Sequence, residues 1–221
     1  MLLLSLLTQA VFAENAILTD RPSVGTSGLV LNKGSVQLES GAQSVSTSAY
    51  CGSTYCPSQY VTSNMIRIGV TPKFEIRPYN DWNFMERSQN VTGVQGKINL
   101  YSSDENSHAA GILVSSGFSS GQNTSTVMVL LDIGGDVASG WLNAGVNFGN
   151  QVRSQSIILG VGADKVFSEL VVNRQGDSQD IGLCVGAVYP FANYQIDLFV
   201  LQGFDSIKNQ QLGVGFSWQI K

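Results

Sequence analysis

The sequence predicts an antiparallel transmembrane β-barrel of about twelve strands, and three observations support this fold class. Apolar and polar residues alternate repeatedly from Ser35 to Ile220, as in strands with two different faces. The links between the alternating segments are short and long in turn. Charged residues make up only 13% of the chain, and nearly all of those in the middle of the segments share one face. We take the elements in chain order.

The first element is a leucine-rich stretch, MLLLSLLTQAVFA, that ends in small residues. Val11 and Ala13 suit the two recognition positions before a signal-peptidase cleavage site. We therefore interpret residues 1–13 as a signal peptide, which predicts an exported protein. It lacks the usual positively charged start, and the alternative is an apolar N-terminal helix in the mature protein.

Residues 14–33 form a separate N-terminal segment, because "TDRPSVGTSG" shows no strand pattern. We expect this segment either to fold into the barrel lumen as a plug or to lie on the periplasmic side. In the plug hypothesis, Asp20 and Arg21 join the charges of the inner wall. Residues 34–221 then form the barrel.

Twelve alternating segments make up that barrel, each about the length of 9 to 11 residues that a tilted strand needs to cross a bilayer. They span residues 34–46, 59–70, 73–85, 94–103, 108–118, 126–136, 139–149, 155–164, 166–174, 179–189, 193–203 and 210–220.

The links between segments favour the membrane barrel. Those after the second, sixth, eighth and tenth segments are tight, as in "TP" and "PFAN", whereas those after odd segments are longer and polar, as in "RSQNVTG", "SSGQNTS" and "QGDS". Short periplasmic turns and longer extracellular loops are typical of outer-membrane barrels. The link "SSDENSH" is longer than this pattern predicts.

The last segment defines the two faces of the barrel wall. Its large apolar residues alternate with Gly, Ser and Gln, and they are Leu212, Val214, Phe216, Trp218 and Ile220. If this face points outward, the following charges point inward: Glu39, Arg67, Glu75, Arg77, Lys97 and Asp197.

A membrane barrel satisfies both faces, with lipid outside and a polar interior. A β-sandwich with the charged face inside would bury these charges at several kcal/mol each, roughly, unless they were paired. A sandwich with the apolar face inside would expose the other face to water, where more than 13% charge is usual. A secreted soluble β-sandwich or ligand-binding barrel is the alternative.

The inward charges predict a ladder along one wall of the lumen, with Asp197 separated from the first segment by one strand. One hypothesis is that the ladder sets the selectivity of a pore. The other is a salt-bridge network that fills a narrow barrel, in which the charges are paired only with one another.

Aromatic residues cluster near the predicted strand ends, as in the interfacial girdles of membrane barrels. They are Tyr50, Tyr55, Tyr60, Trp82, Phe84, Trp141, Tyr189, Phe191 and Trp218.

The cysteines predict no metal site. Cys51 and Cys56 lie in "CGSTYC" among loop residues, where an oxidising compartment allows a disulfide bond between them. No second cysteine pair accompanies them and the single histidine, His108, lies far along the chain, so zinc is disfavoured. Cys184 lies in an alternating segment and is expected to be a buried apolar residue.

Enzymatic chemistry and nucleic-acid binding are not predicted. A Ser–His hydrolase needs a histidine positioned beside a serine, and His108 is expected to be an exposed turn residue instead. The sequence contains no G-x-S-x-G elbow or phosphate-binding loop, so we expect no catalytic residues and no cofactor. A formal net charge of −4 disfavours nucleic-acid binding.

Three stretches carry a family resemblance: "LTDRPSVGTSG" with "NKGSVQLESG" near the start, "IRIGVTPKFEIR" at Ile66–Arg77, and the closing "GVGFSWQI". They resemble the outer-membrane transporter family associated with the meta-cleavage pathway of phenol degradation. The chain departs from the barrels' common aromatic C-terminus, because it ends in Gln219, Ile220 and Lys221.

The resemblance implies a location in the outer membrane of a Gram-negative bacterium and passage of small molecules, including hydrophobic or aromatic ones. The expected partners are membrane lipid, lipopolysaccharide, small solutes and the barrel-assembly machinery. The oligomeric state is left open. The alternative function for a barrel is a closed structural or adhesive one whose long loops contact partners.

Overall fold

The computed structural model describes residues 25–47, 50–51, 54–55, 58–86, 90–103, 107–120, 122–134, 138–149, 153–163, 165–204 and 209–220. Within these ranges twelve long strands close into one antiparallel barrel. The predicted fold class is therefore confirmed, and the soluble sandwich alternative is wrong.

No helix in the described part of the chain is long and apolar enough to cross a membrane.

The described residues contain fourteen strands, numbered in chain order, and the bounds of the twelve long ones lie within a few residues of the predicted segments. They are β1 Val36–Thr47, β2 Tyr50–Cys51, β3 Thr54–Tyr55, β4 Gln59–Thr71, β5 Phe74–Asn83, β6 Val91–Ser102, β7 His108–Ser119, β8 Gln122–Gly134, β9 Ser139–Gly149, β10 Arg153–Ala163, β11 Val166–Gln175, β12 Ser178–Pro190, β13 Tyr194–Gly203 and β14 Asn209–Ile220.

The first and last strands close the barrel. Val36 of β1 is paired with Ile220 of β14 on one side and with Ile68 of β4 on the other. The short strands β2 and β3 form a separate two-stranded sheet between β1 and β4, which the sequence did not predict. Because every long strand has two neighbours, the barrel has no free edge along which other chains can pair.

The two ends of the barrel differ less in loop length than the sequence predicts. At the terminal end, where β1 starts and β14 ends, the links are residues 72–73, 103–107, 135–138, 164–165 and 191–193. At the loop end they are residues 48–58, 84–90, 120–121, 150–152, 176–177 and 204–208. The links after β7 and after β11, which were predicted to be long loops, thus span only two residues each.

Both corrections have the same physical cause. Apolar alternation marks only the part of a strand that has one apolar face, whereas backbone pairing continues through polar residues such as Gln122–Ser125. After β11, Gly176 adopts a φ of 59°, a conformation that glycine reaches without strain, and so closes a tight turn.

The outer face of the barrel is an apolar belt. In β14, Leu212, Val214 and Phe216 point outward and are 42–60% exposed, while the next residue, Ser217, points inward and is fully buried. Exposed aromatic residues lie at both ends of the belt. At the loop end they are Tyr60, Trp82, Phe84, Phe118, Phe148 and Phe204, and at the terminal end Tyr101, Tyr189, Phe191 and Trp218.

Trp141 corrects the predicted list of interfacial aromatic residues. It shares the inner phase of β9 with buried Asn143, and its indole N–H donates to Glu169 over 2.8 Å. The side chains of Tyr50 and Tyr55 lie outside the described residues.

Four inward-facing aromatic residues lie over glycines of the neighbouring strand. The pairs are Tyr79 over Gly93, Trp141 over Gly160, Phe167 over Gly186, and Phe199 over Gly213. A methyl group at any of these glycines would overlap the ring. The missing side chains therefore create the space in which the rings pack flat against the inner wall.

The wall formed by β10–β13 carries an apolar cluster on its inner side, beside the buried carboxylates Glu169 and Asp197. Its buried cluster consists of Ile158, Phe167, Val171, Cys184 and Leu201. Cys184 is a fully buried free thiol, as expected for a small apolar residue.

Candidate functional site

The barrel interior contains a charged ladder on β1, β4, β5 and β6. Arg67 lies at its centre: its Nη1 is 3.0 Å from Glu39 Oε1, and its Nε is 3.0 Å from Glu75 Oε1. Its Nη2 donates to Glu75 Oε2 over 3.1 Å, so the Arg67–Glu75 pair is bidentate.

Glu75 is the most highly connected member of this ladder. Besides Arg67, it accepts a hydrogen bond from Arg77 Nε, and Lys97 Nζ lies 3.9 Å from its Oε1. Its Oε2 also accepts the backbone N–H of Leu31 over 2.7 Å. One carboxylate thus connects three cations of the wall to the N-terminal segment.

Burial of the ladder is almost complete. Arg67, Glu75 and Lys97 have no exposed surface, Arg77 is 1% exposed and Glu39 is 2% exposed. Water therefore does not reach these groups in this structure, and their charges are compensated by one another and by buried dipoles.

Asp197, the sixth predicted inward charge, lies farther round the wall on β13 and is fully buried. It is paired with Gly215 of β14, and its carboxylate occupies the space that a side chain at Gly215 would fill.

Residues 25–33, which we call the inner strap, run along the inside of the wall. The backbone N–H of Gly25 donates to Glu169 Oε1 over 3.0 Å. Thr26 exchanges two hydrogen bonds with the amide of Asn143, at 2.6 Å and 2.9 Å. The strap therefore starts against β11 and β9.

The strap then crosses towards the charged ladder. Ser27 Oγ and the N–H of Gly28 both donate to Asp132 Oδ2, at 2.8 Å and 2.6 Å. The carbonyl of Ser27 accepts from Lys97 Nζ and that of Gly28 from Asn99 Nδ2, each over 3.0 Å. All these wall residues bind the strap mainly through its backbone.

Three wall residues that hold the strap, Asp132, Asn143 and Glu169, were not identified from the sequence. Asn143 alternates with Leu142 and Ala144, so its inward phase was readable. The inward phase of Glu169 was hidden, because Phe167 and Val171 on the inner side are as apolar as Leu170 on the outer side. Asp132 lies close to the end of β8, where a charge can face either side.

Several predicted elements lie outside the described residues. They are the signal peptide at residues 1–13, the first part of the N-terminal segment with Asp20 and Arg21, and Cys56 together with the side chain of Cys51. The proposed disulfide bond therefore stays a prediction.

His108 is an exposed residue at the start of β7. Its Nδ1 lies 3.0 Å from Ser107 Oγ, and that hydroxyl lies 3.2 Å from Ser103 Oγ. This is a local turn contact between adjacent residues. Within the described ranges, no group of three or more His, Cys, Asp or Glu side chains is arranged to hold a metal ion.

Comparisons with known proteins give the fold but no family. No family model matches the sequence, and no curated protein matches it.

Several solved structures are similar to the chain. The KdgM porin in complex with disordered oligogalacturonate has a TM-score of 0.61 at 13% identity, covering 83% of this chain and 99% of that one. An outer-membrane channel from Pseudomonas putida F1 has a TM-score of 0.60 at 9% identity, covering 90% and 99%. The NanC porin has a TM-score of 0.58 at 8% identity, covering 81% and 98%.

These similarities and the apolar belt define the class of protein. The chain has the architecture of a bacterial outer-membrane β-barrel of the porin and channel type. The resemblance to an outer-membrane transporter family agrees with this architecture, whereas its link to phenol degradation stays a prediction.

Proposed function

We propose that the chain is a non-enzymatic outer-membrane channel for small solutes, closed in this structure by the inner strap. The observation that carries the proposal is how the strap is held: its backbone forms hydrogen bonds with five polar side chains of the wall, Glu75, Lys97, Asp132, Asn143 and Glu169. Such contacts can be exchanged for water when the strap leaves, which exposes a polar inner wall.

The plug in this proposal is the whole N-terminal segment of residues 14–33. Its described part already contacts β5 at one end, where the N–H of Leu31 donates to Glu75 Oε2 over 2.7 Å, and β11 at the other. Asp20 and Arg21 precede this part and would extend the charge pairing inside the barrel. Displacement of the segment would open the lumen.

The solutes in this proposal are small molecules with an apolar or aromatic part. The support comes from the two unlike walls: the cations of β4–β6 form one, and the apolar cluster around Ile158 and Val171 forms the other. A molecule with an aromatic ring and a negative group would match both walls, which is consistent with the family resemblance.

The outer surface supports the proposed partners. Lipid acyl chains would cover the apolar belt, lipopolysaccharide would surround the loop end, and the assembly machinery would insert the barrel. The exposed outward row of β14, including Phe216 and Trp218, would be the signal that this machinery recognises.

A closed structural barrel is the second candidate, because the ladder residues Arg67, Glu75 and Lys97 are fully buried. In that case, the charges only fill and stabilise the barrel.

Planar-bilayer recording separates the two candidates. Three proteins would be compared after refolding: the mature chain, the same chain lacking residues 14–28, and that deletion combined with Arg77→Gln. Arg153→Gln on the outer face is the matched control for the loss of one positive charge.

A channel predicts small or rare conductance steps for the intact chain and larger steps after the deletion. Arg77→Gln would then shift the ion selectivity towards cations, while Arg153→Gln would not. Correctly inserted barrels that stay silent after the deletion would contradict the channel and favour the structural barrel.

A further inference from the structure

The charged side chains of the described strands are divided unequally between the two faces of the barrel. The inner face carries Glu39, Arg67, Glu75, Arg77, Asp81, Lys97, Asp132, Glu169, Asp180 and Asp197. Among the charged residues of the described strands, only Arg153 and Arg174 point outward. Both are cations, and they lie on the adjacent strands β10 and β11.

The strand register places both arginines in one groove. Arg153 is paired with Phe148 of β9, and its guanidinium lies 5.9 Å from the centre of that ring. In the next row, Gln155 lies between Val146 and Arg174. With Gly176, these residues line an open groove of about 470 Å³ on the outside of the barrel.

The groove lies at the edge of the apolar belt that is nearer the loop end. Phe148 belongs to the aromatic residues of the loop end, and the row below the groove is Ala144, Ile157 and Val172. Lipid headgroups meet a barrel at this height. The loop end carries the longest loops, so the proposed outer-membrane location places the groove in the outer leaflet.

We propose that this groove binds the phosphate groups of a phosphorylated glycolipid of the outer leaflet. This inference rests on the proposed outer-membrane location. Guanidinium groups form paired charge-assisted hydrogen bonds with phosphate oxygens, and Arg153 and Arg174 are both exposed and line the same groove. Gln155 supplies a further donor.

The remaining surroundings fit an amphipathic anion. Phe148 and Val146 offer apolar contact for the start of an acyl chain. Arg174 Nε donates to the carbonyl of Gly176 over 3.3 Å, which holds its guanidinium beside another lining residue of the groove. The acidic residues nearest to Arg174 in sequence are Asp177, in the adjoining turn, Glu169, buried on the inner face of β11, and Asp180, on the inner face of β12.

Native mass spectrometry of the full mature chain in detergent tests this site. The probes are lipid A with two phosphates, the same lipid after dephosphorylation, and phosphatidylglycerol. The proteins are the wild type, Arg153→Gln/Arg174→Gln, and the control Lys73→Gln/Lys165→Gln, which removes two exposed cations from turns at the terminal end.

We expect the wild type and the lysine control to bind lipid A equally. The arginine variant should bind it about tenfold or more weakly, because each charge-assisted contact contributes on that scale. Dephosphorylated lipid A should bind the wild type as weakly as the variant. Circular dichroism establishes that the variant is folded, and both arginines are exposed, so its barrel should form normally.

Equal lipid A binding by the wild type and the arginine variant would overturn the site. Phosphatidylglycerol that binds as tightly as lipid A, with the same dependence on the arginines, would overturn the glycolipid assignment. Lipid A binding by mass spectrometry does not depend on any bilayer current. If the barrel conducts no ions but its lipid A binding still depends on Arg153 and Arg174, only the proposed channel function is refuted.

Discussion

Trp141 and Gly160 form the closest side-chain-to-backbone fit on the inner wall. The indole ring occupies the position of a methyl group at Gly160 and reaches Glu169, which in turn binds the N–H of Gly25. A single glycine therefore allows an aromatic ring and a carboxylate to hold the inner strap. We therefore expect substitutions of Gly160 by residues with a side chain to be poorly tolerated.

Gly160→Ala is expected to lower the free energy of unfolding by about 1–3 kcal/mol, because the methyl group must displace the ring of Trp141. The measurement is the urea midpoint of the refolded barrel in lipid vesicles. Gly140→Ala is the control, since the nearest atom to its new methyl group is Gly160 O at 3.5 Å, an ordinary contact. Equal midpoints for the two variants would show that the ring is not constrained.

Arg67 is the residue whose removal should affect stability most. Arg67→Met leaves the carboxylates of Glu39 and Glu75 buried without their shared cation, at a cost of about 3–5 kcal/mol. Arg153→Met, at an exposed outward position, should change the unfolding free energy by about 0.5 kcal/mol or less.

A double variant separates the ion pair from the packing of Arg67. Adding Glu39→Gln to Arg67→Met should restore part of the lost stability, because one unpaired charge is removed. Strictly additive losses in the same urea titrations would mean that Glu39 and Arg67 do not interact.

Whether a side chain points into or out of the barrel could be predicted from the sequence wherever a strand has one clearly apolar face. Arg67 alternates with Ile66 and Ile68 along β4, and in the structure Arg67 is buried while both isoleucines are exposed. The outward phase of Arg153 was equally readable from Ile157 and Leu159. It was missed because the predicted segment began two residues later, at Gln155.

At the scale of elements, the sequence predicted the number and order of the long strands. For the N-terminal segment it left two possibilities open, a plug in the lumen or a position on the periplasmic side. Strand periodicity is local and repeats along the chain, which makes it readable. The strap has no periodicity, and its backbone hydrogen bonds use groups that every residue carries. The small β2–β3 sheet was missed for a related reason, because two-residue strands are too short to show alternation.

Gly28 controls how closely the strap approaches the wall. A methyl group at this position would lie 3.2 Å from backbone atoms of Ala110 and Gly111, tighter than normal packing. Gly28→Val should therefore push the strap away from β7 and weaken its contacts with Asp132 and Asn99. We expect more frequent or larger conductance steps in planar bilayers than for the wild type.

Thr26→Val is the matched control on the same strap. The two side chains have nearly the same shape, and Thr26 binds Asn143 through its backbone N–H and carbonyl, which valine retains. Its conductance should equal that of the wild type. A Gly28→Val current indistinguishable from both would indicate that the strap does not limit passage.

At the scale of the whole molecule, the polarity of the barrel is inverted relative to a soluble protein. The outer face carries the large apolar residues, and the interior holds the ion pairs, the strap and an apolar cluster confined to β10–β13. This arrangement is stable only where the surroundings are less polar than the interior. The position of each outward residue relative to the bilayer should then determine its tolerance of charge.

Strand β10 allows that dependence to be measured on one outward row, because Gln155 and Leu159 both point outward and differ in height. Leu159→Arg, in the middle of the belt, should lower the unfolding free energy in vesicles by about 2–4 kcal/mol. Gln155→Arg, beside the two existing arginines at the loop end, should cost about 0–1 kcal/mol. Urea titrations in thin and thick bilayers give both values and their dependence on bilayer thickness. If Leu159→Arg were as mild as Gln155→Arg, the apolar belt would not be in contact with lipid, and a partner or solvent would have to cover this face instead.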